Sequence, residues 1–274
     1  ENKYQWCIAA VPGEAWAKKV FPGMRKSVAM EKLWEAILYT SRVDEDPIAA
    51  WDKHNEDLAK RCEYLNSLGI ESLEYKSSNG TDFRVGMIDN AEFLGGGEYT
   101  LSGNYFNPNI PTEEVFTMPT FDGVDGVVVS TKPLSFRGKL IENFKVYFEN
   151  GKAVKVEAEK GQEYLEELFK DDEGSSHLGE VALVPYNSPI SQSGILFYNT
   201  LFDENASCHL AFGAAFRNNI KGYEKLKEED WQEMKFNESM NHVDFMVGSE
   251  DLDIVATTFD GKKVQIFKNG NWSI

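Results

Sequence analysis

The sequence predicts a mixed α/β (α+β) protein, with a partial α/β lobe followed by a mostly β lobe. Three observations support this: a strand-turn-helix opening, two long helical segments before residue 70, and a change of hydrophobic period after it. Trp6-Cys7-Ile8-Ala9-Ala10-Val11 reads as a buried strand, Pro12-Gly13 breaks it, and Glu14-Ala15-Trp16-Ala17 opens a helix. Met24 to Tyr39 forms a second helix. The third starts with Asp46 as N-cap and Pro47 at the first helical position, where a missing N–H costs nothing. Its apolar positions Trp51, Leu58, Cys62 and Leu65 lie on one face, and Gly69 supplies the stop.

Beyond residue 70 the pattern alternates, as at Phe83, Val85 and Met87, which is the signature of a half-buried strand. Phe144 to Glu149 and Ala153 to Ala158 flank Asn150-Gly151, a pair suited to the positive φ angles of a type I′ hairpin turn. Asp260-Gly261 predicts a second hairpin, and Gly161 to Lys170 a short helix. The polar, turn-rich Lys76-Ser77-Ser78-Asn79-Gly80 marks a lobe boundary, giving lobes 1–78 and 79–274. Gly95-Gly96-Gly97 lacks the spacing of a phosphate-binding loop and reads as a plain flexible loop.

Charge sets the first exclusions. Lys and Arg number 28 against 45 Asp and Glu among 274 residues, a net charge of −17. The basic pairs Lys18-Lys19, Arg25-Lys26 and Lys262-Lys263 lie among acids, whereas a surface that neutralises a phosphate backbone needs clustered cations. Nucleic acid is therefore not an expected partner. Apolar runs such as Val181-Ala182-Leu183-Val184 fall far short of the roughly 20 residues that span a bilayer, so no membrane segment is expected. Cys7, Cys62 and Cys208 show no Cys-x-x-Cys spacing and point to reduced thiols in the cytoplasm. The chain opens on Glu1 without the pattern of a signal peptide and reads as beginning inside a larger protein.

Few residues can carry chemistry. His54 lies in a charged helical stretch and reads as solvated. His242 and Asp244, two apart on a strand, project from one face and make half of a site for a cation that accepts both N and O donors. His209 sits in the apolar run Cys208-His209-Leu210-Ala211-Phe212-Gly213, where an imidazole needs a partner, and Asp203-Glu204-Asn205 could orient it. Glu180 opens the apolar strand Val181 to Val184, where an ionised carboxylate needs a cation or a donor. Glu113 and Glu114 precede another strand, as one metal ligand and one general base would. For each of these residues taken alone, an ordinary hydrogen-bonded side chain is the simpler reading. A serine elbow is absent, and Cys208 and His209 face opposite sides of a strand, which argues against a nucleophilic serine or cysteine.

Asn109 to Pro119, His177 to Val184 and Phe202 to Gly213, followed in order by His242-x-Asp244, resemble the thermophilic-type metalloaminopeptidases, the family of aminopeptidases T and S. The resemblance extends over essentially the whole chain and implies a cytoplasmic, homodimeric enzyme that hydrolyses the N-terminal peptide bond of short peptides with a free N-terminus. It implies metal ligands at Glu114, Glu180, His209, His242 and Asp244, holding two divalent ions (Zn, Co, Mn or Mg) with Glu180 as the bridge, and an activated water as the nucleophile. Glu113 would be the general base. Family members are longer, so the chain resembles their C-terminal two thirds. Where the family carries a tyrosine thought to help catalysis, this sequence has Phe216. The alternatives are a catalytically weakened peptide- and metal-binding fragment of such an enzyme, or a protein in which metal is purely structural.

Overall fold

The computed structural model describes residues 3–43 and 45–274. Their arrangement follows from where the alternating strands bury their apolar faces. A nine-stranded sheet runs in the order Lys152–Lys160, Lys139–Glu149, Pro119–Val129, Asp82–Met87, Ile70–Lys76, Asp253–Thr258, Lys263–Lys268 and Asn271–Trp272, with Leu134–Phe136 beside Lys139–Glu149. A second sheet holds β1 (Val115–Thr117), β2 (Leu178–Leu183), β3 (His209–Gly213) and β4 (His242–Met246), antiparallel throughout, in the order β4-β3-β2-β1. The inward face of this smaller sheet carries Val115, Val181, Leu183, Leu210, Phe212, Val243 and Phe245, all buried in one core with Leu73, Val85, Phe144 and Ile254 of the large sheet.

Three helices precede the sheets: α1 (Glu14–Val20), α2 (Lys26–Thr40) and α3 (Pro47–Leu68). The Asp46 carboxylate accepts the Ala49 N–H at 3.1 Å, and Gly69 ends α3 at φ 62°, as the sequence predicts. Leu58 and Leu65 of α3 join the core between the sheets, whereas α1 and α2 pack around Leu33, Ile37, Ile190, Phe197 and Phe202 in a cluster of their own. The Asn150-Gly151 hairpin forms with both residues at positive φ (48° and 82°), and a hairpin also joins Asp253–Thr258 to Lys263–Lys268. No helix among the described residues is long and apolar enough to cross a membrane.

One expectation comes out differently. Only Ile8–Ala9 of the opening run is a strand, paired in parallel with Asn109–Ile110, and it is an exposed one: Ile8 is 53% accessible. The division expected between residues 78 and 79 falls at the turn of a hairpin in the middle of the large sheet, where Ile70–Lys76 pairs with Asp82–Met87. Polar turn residues mark a tight hairpin as readily as a linker, because both need backbone that leaves a strand.

Phe245 ties the two sheets together, with its ring 4.6 Å from Phe212 and 5.6 Å from Phe144 and no exposed surface. Phe245→Ala should cost about 3–5 kcal/mol of stability, seen as a lowered urea midpoint. An unchanged midpoint would mean that the contact does not join the sheets.

Candidate metal centre

On a strand, alternate side chains share a face, and residues paired across the ladder point the same way. In the smaller sheet Glu180 pairs with Ala211 and Ala211 with Asp244, while Ala182 pairs with His209 and Gly213 with His242. The outward face therefore carries His209, Ala211 and Gly213 on the central β3, with Glu180 on one side and Asp244 and His242 on the other. The small Ala211 and the bare Gly213 leave space between the flanking donors. Glu114 sits one residue before β1, two positions from Phe116, and reaches the same face because Phe116 pairs with Ala182.

Simple alternation would put Leu178 and Glu180 on one face, yet Leu178 is in the core. A bulge resolves this: Leu178 pairs with the core residue Phe212 and Glu180 with Ala211, leaving Gly179 as the extra residue. A Cβ at Gly179 would overlap the carbonyl of Gly213, so only glycine fits this bulge.

Five of the residues named from the sequence converge. Donor atoms of Glu114, Glu180 and His209 lie within 4.8 Å of one another, as do those of Glu180, His242 and Asp244, so Glu180 belongs to both groups. His209 Nε2 is 3.2 Å from Glu114 Oε2, and His242 Nε2 lies 3.0 Å from Glu180 Oε2 and 3.2 Å from Asp244 Oδ1. His242 Nδ1–H donates to the Ala214 carbonyl at 2.8 Å, which leaves Nε2 facing the carboxylates. Buried His209 Nδ1 has no hydrogen-bond partner among the described residues.

The electrostatics fit a cation site. Burial alone would depress His209, but the hydrogen bond to Glu114 and the charges of Glu180 and Asp244 outweigh it and push it up to about 10. Burial likewise opposes the rise of His242, which Asp244 and Glu180 push up to about 11. Burial raises Glu180, as does the charge of Glu114, whereas the His242 hydrogen bond works against the rise. Asp244 moves down despite its burial, because His242 holds the ionised form. The acidic surroundings thus favour positive charge at both imidazoles.

The cluster opens into a cavity of about 860 Å³ whose walls include Phe93, Phe116, Phe216, Tyr223 and Gly95. The Gly95 segment is closely packed rather than a plain flexible loop: a Cβ there would come within 2.5 Å of the Glu114 carbonyl oxygen. The Phe216 ring lies 4.7 Å from the His242 ring and 6.0 Å from that of Phe116.

Two residues stand elsewhere than expected. Glu113 does not line the cavity. Its side chain points the opposite way from Glu114, and both carboxylate oxygens are held by the Arg42 guanidinium, Oε1 by Nη1 and Oε2 by Nη2 at 2.7 Å. A general base must reach the proton it takes, and this carboxylate is spent on Arg42. His54 is buried, not solvated, and donates from Nε2 to the Thr112 carbonyl at 2.7 Å. Arg42 itself has φ 54° directly after the C-cap of α2, a position where glycine is usual and another residue costs roughly 1–2 kcal/mol.

Glu204, read from the sequence only as a supporting residue, lines the cavity beside the ligands. Its carboxyl is raised well above the ordinary range by burial and then by the charges of Glu114 and Asp244. Neighbouring Asp203 turns away to accept the N–H groups of Phe197 and Asn199 at 2.8 and 2.9 Å. Its place in a helical turn gave no periodic signal to separate it from Asp203.

Comparison with known proteins agrees with the chemistry of this cluster. A family profile described as thermophilic metalloprotease (M29) matches residues 1–272. The chain belongs to this family. It is 50% identical to aminopeptidase AmpS of Bacillus subtilis, over 99% of this chain and 66% of that protein. It is 44% identical to aminopeptidase T of Thermus aquaticus, over 98% of this chain and 65% of that protein. The solved structure of wild-type AmpT from Thermus thermophilus superposes with a TM-score of 0.92 at 42% identity, covering 98% of this chain and 65% of that one. The chain thus spans just under two thirds of the relatives it matches. The reading as a weakened fragment draws no support from these matches.

A divalent ion held by His209 and His242 would have to displace protons from both imidazoles. Both are raised far above neutrality, so affinity should climb as pH rises from 6 to 9 and fall as pH drops. Calorimetry at pH 7 in buffers of different ionisation enthalpy should register release of about two protons, one per imidazole. Binding with no proton release would show that the imidazoles are not displaced.

Proposed function

We propose that this chain carries the catalytic centre of a metal-dependent aminopeptidase that releases the N-terminal residue of short peptides. The observation that carries the reading is the pair of donor groups sharing Glu180 on the outward face of a sheet otherwise given to the core. Carboxylates and imidazoles in this ratio suit two divalent cations of the Zn, Co, Mn or Mg type. Bound there, such ions would lower the pKa of a water molecule and polarise the scissile carbonyl. Glu114 and His209 would hold one ion, His242 and Asp244 the other, with Glu180 between them. Glu204, whose carboxyl burial pushes well above the usual carboxylate range, would lie beside the cations as a further oxygen donor.

The aromatic walls suit the side chain of the substrate's first residue, and the free α-amine would lie at the acidic end of the cavity. Phe216 stands against His242 at the point where the family resemblance expects a tyrosine. Without the hydroxyl, Phe216 shapes the cavity and excludes water but donates no hydrogen bond. The same reading places the protein in the reducing cytoplasm, where Cys7, Cys62 and Cys208 stay unpaired, and makes it a homodimer.

Two substitutions test the reading. Glu180→Gln removes the shared carboxylate, so metal analysis should find at least one ion fewer per chain. A variant that kept two tightly bound ions would rule out the bridge. Phe216→Tyr should raise kcat by up to about 10²-fold, the contribution of one oxyanion donor, and leave KM nearly unchanged because the hydroxyl acts on the transition state. Unchanged kcat in a folded, metal-loaded variant would make Phe216 a packing residue only.

A further inference from the structure

Glu114 is the ligand that the sheet holds least. β1 has three residues and ends the strand order, with Leu94 paired to Phe116 on its outer side; its last ladder pair joins Val115 to Leu183, so Glu114 and the two residues before it lie outside the ladder. The helical layer braces this stretch instead. His54 on α3 donates to the Thr112 carbonyl at 2.7 Å. Arg42, just after α2, clasps both oxygens of Glu113, and the two side chains are only 20% and 4% exposed. The Glu113 N–H donates to Asn205 Oδ1 at 2.7 Å, and Asn205 is tied by its Nδ2 to the Leu201 carbonyl at 3.0 Å. Trp51 Nε1 donates to the Ser41 carbonyl at 2.8 Å and so fastens the residue before Arg42 to α3.

We infer that the Arg42–Glu113 pair positions the metal-binding segment, setting Glu114 through the backbone it shares with Glu113, and that neither residue enters the chemistry. Two features of Arg42 favour this over incidental pairing. It takes a left-handed conformation that glycine would adopt without strain, and glycine would lack the guanidinium that grips Glu113. The planar fork also matches a carboxylate in two places, fixing orientation where a lysine would supply only charge. Arg61, on α3, is a second cation within the field of Glu113 and Arg42. The inference rests on the metal reading of the cavity and is independent of peptide cleavage.

The test is the dissociation constant for Zn²⁺ or Co²⁺, measured by chelator competition on the purified chain and on Arg42→Met, Glu113→Gln, the double variant and Arg42→Lys. Each of the first two should weaken retention of the more labile ion by roughly 10- to 100-fold, as loss of groups supporting a ligand does. The double variant should be no worse than the weaker single one, since both remove the same link. Arg42→Lys should recover part of the loss, and saturating cation should restore kcat in all four. Should Arg42→Met fail to fold by circular dichroism, Arg42→Lys and Glu113→Asp carry the same comparison. Unaltered dissociation constants in folded variants would overturn the inference. So would a Glu113→Gln protein that stays slow at saturating cation while Arg42→Met recovers, because Glu113 would then act in the reaction. A parent chain that binds cations but cleaves no peptide would overturn the peptidase reading and leave this one standing. A parent that binds no divalent cation would overturn both.

Discussion

Repulsion among buried carboxylates is the constraint around which this molecule is organised. Glu114, Glu180, Glu204 and Asp244 line one cavity, and no Lys or Arg among the described residues lines it with them. Two unit charges 4 Å apart repel by about 4 kcal/mol at an effective dielectric constant of 20. The cluster therefore exists only with compensation. His209 and His242, pushed up to about 10 and about 11 by the carboxylates around them, are the cationic partners the cluster itself offers. The rest of the fold keeps these groups from moving apart.

That work is divided between two kinds of packing. On the inward face of the smaller sheet, Leu210, Phe212, Val243 and Phe245 lock two donor-bearing strands to the large sheet, so His209, His242 and Asp244 inherit the rigidity of the core. Glu114 is anchored to the core on one side only, through Val115, and on its other side the chain is held by polar contacts from the helices. Gly95, pressed against the Glu114 carbonyl, holds the same segment from the cavity side. The helical layer is thus part of the site although it supplies none of the five converging donors.

Local features were legible in the sequence wherever one strand or one helix decided them. Asp46, Pro47 and Gly69 framed α3 because caps act within a single turn, and the His242-x-Asp244 spacing gave a shared face because strand parity is a local property. The conjunction of Glu114, Glu180, His209, His242 and Asp244 came from the family resemblance, since no periodicity tells which strands become neighbours. The facing of Glu113 was hidden for the same reason: its partner, Arg42, is 71 residues away. His54 looked solvated because its own helix is charged, and the contact that buries it comes from the Thr112 carbonyl. The polar stretch at 76–80 carried too little information to distinguish a hairpin turn from a linker.

The bulge at Gly179 has a consequence for how this site can change over generations. Substitutions on the outward face alter the donors one at a time, so their effects are graded. Gain or loss of a single residue within β3 or β4 would exchange odd positions for even ones, turning imidazoles and carboxylates into the interior and leucine and phenylalanine into the cavity. Such a lesion would abolish folding and metal affinity together. Gly179 shows the opposite case, in which one additional residue is absorbed because it has no side chain to place. Lineages of this protein should therefore tolerate length variation in the turns between these strands and almost none inside them.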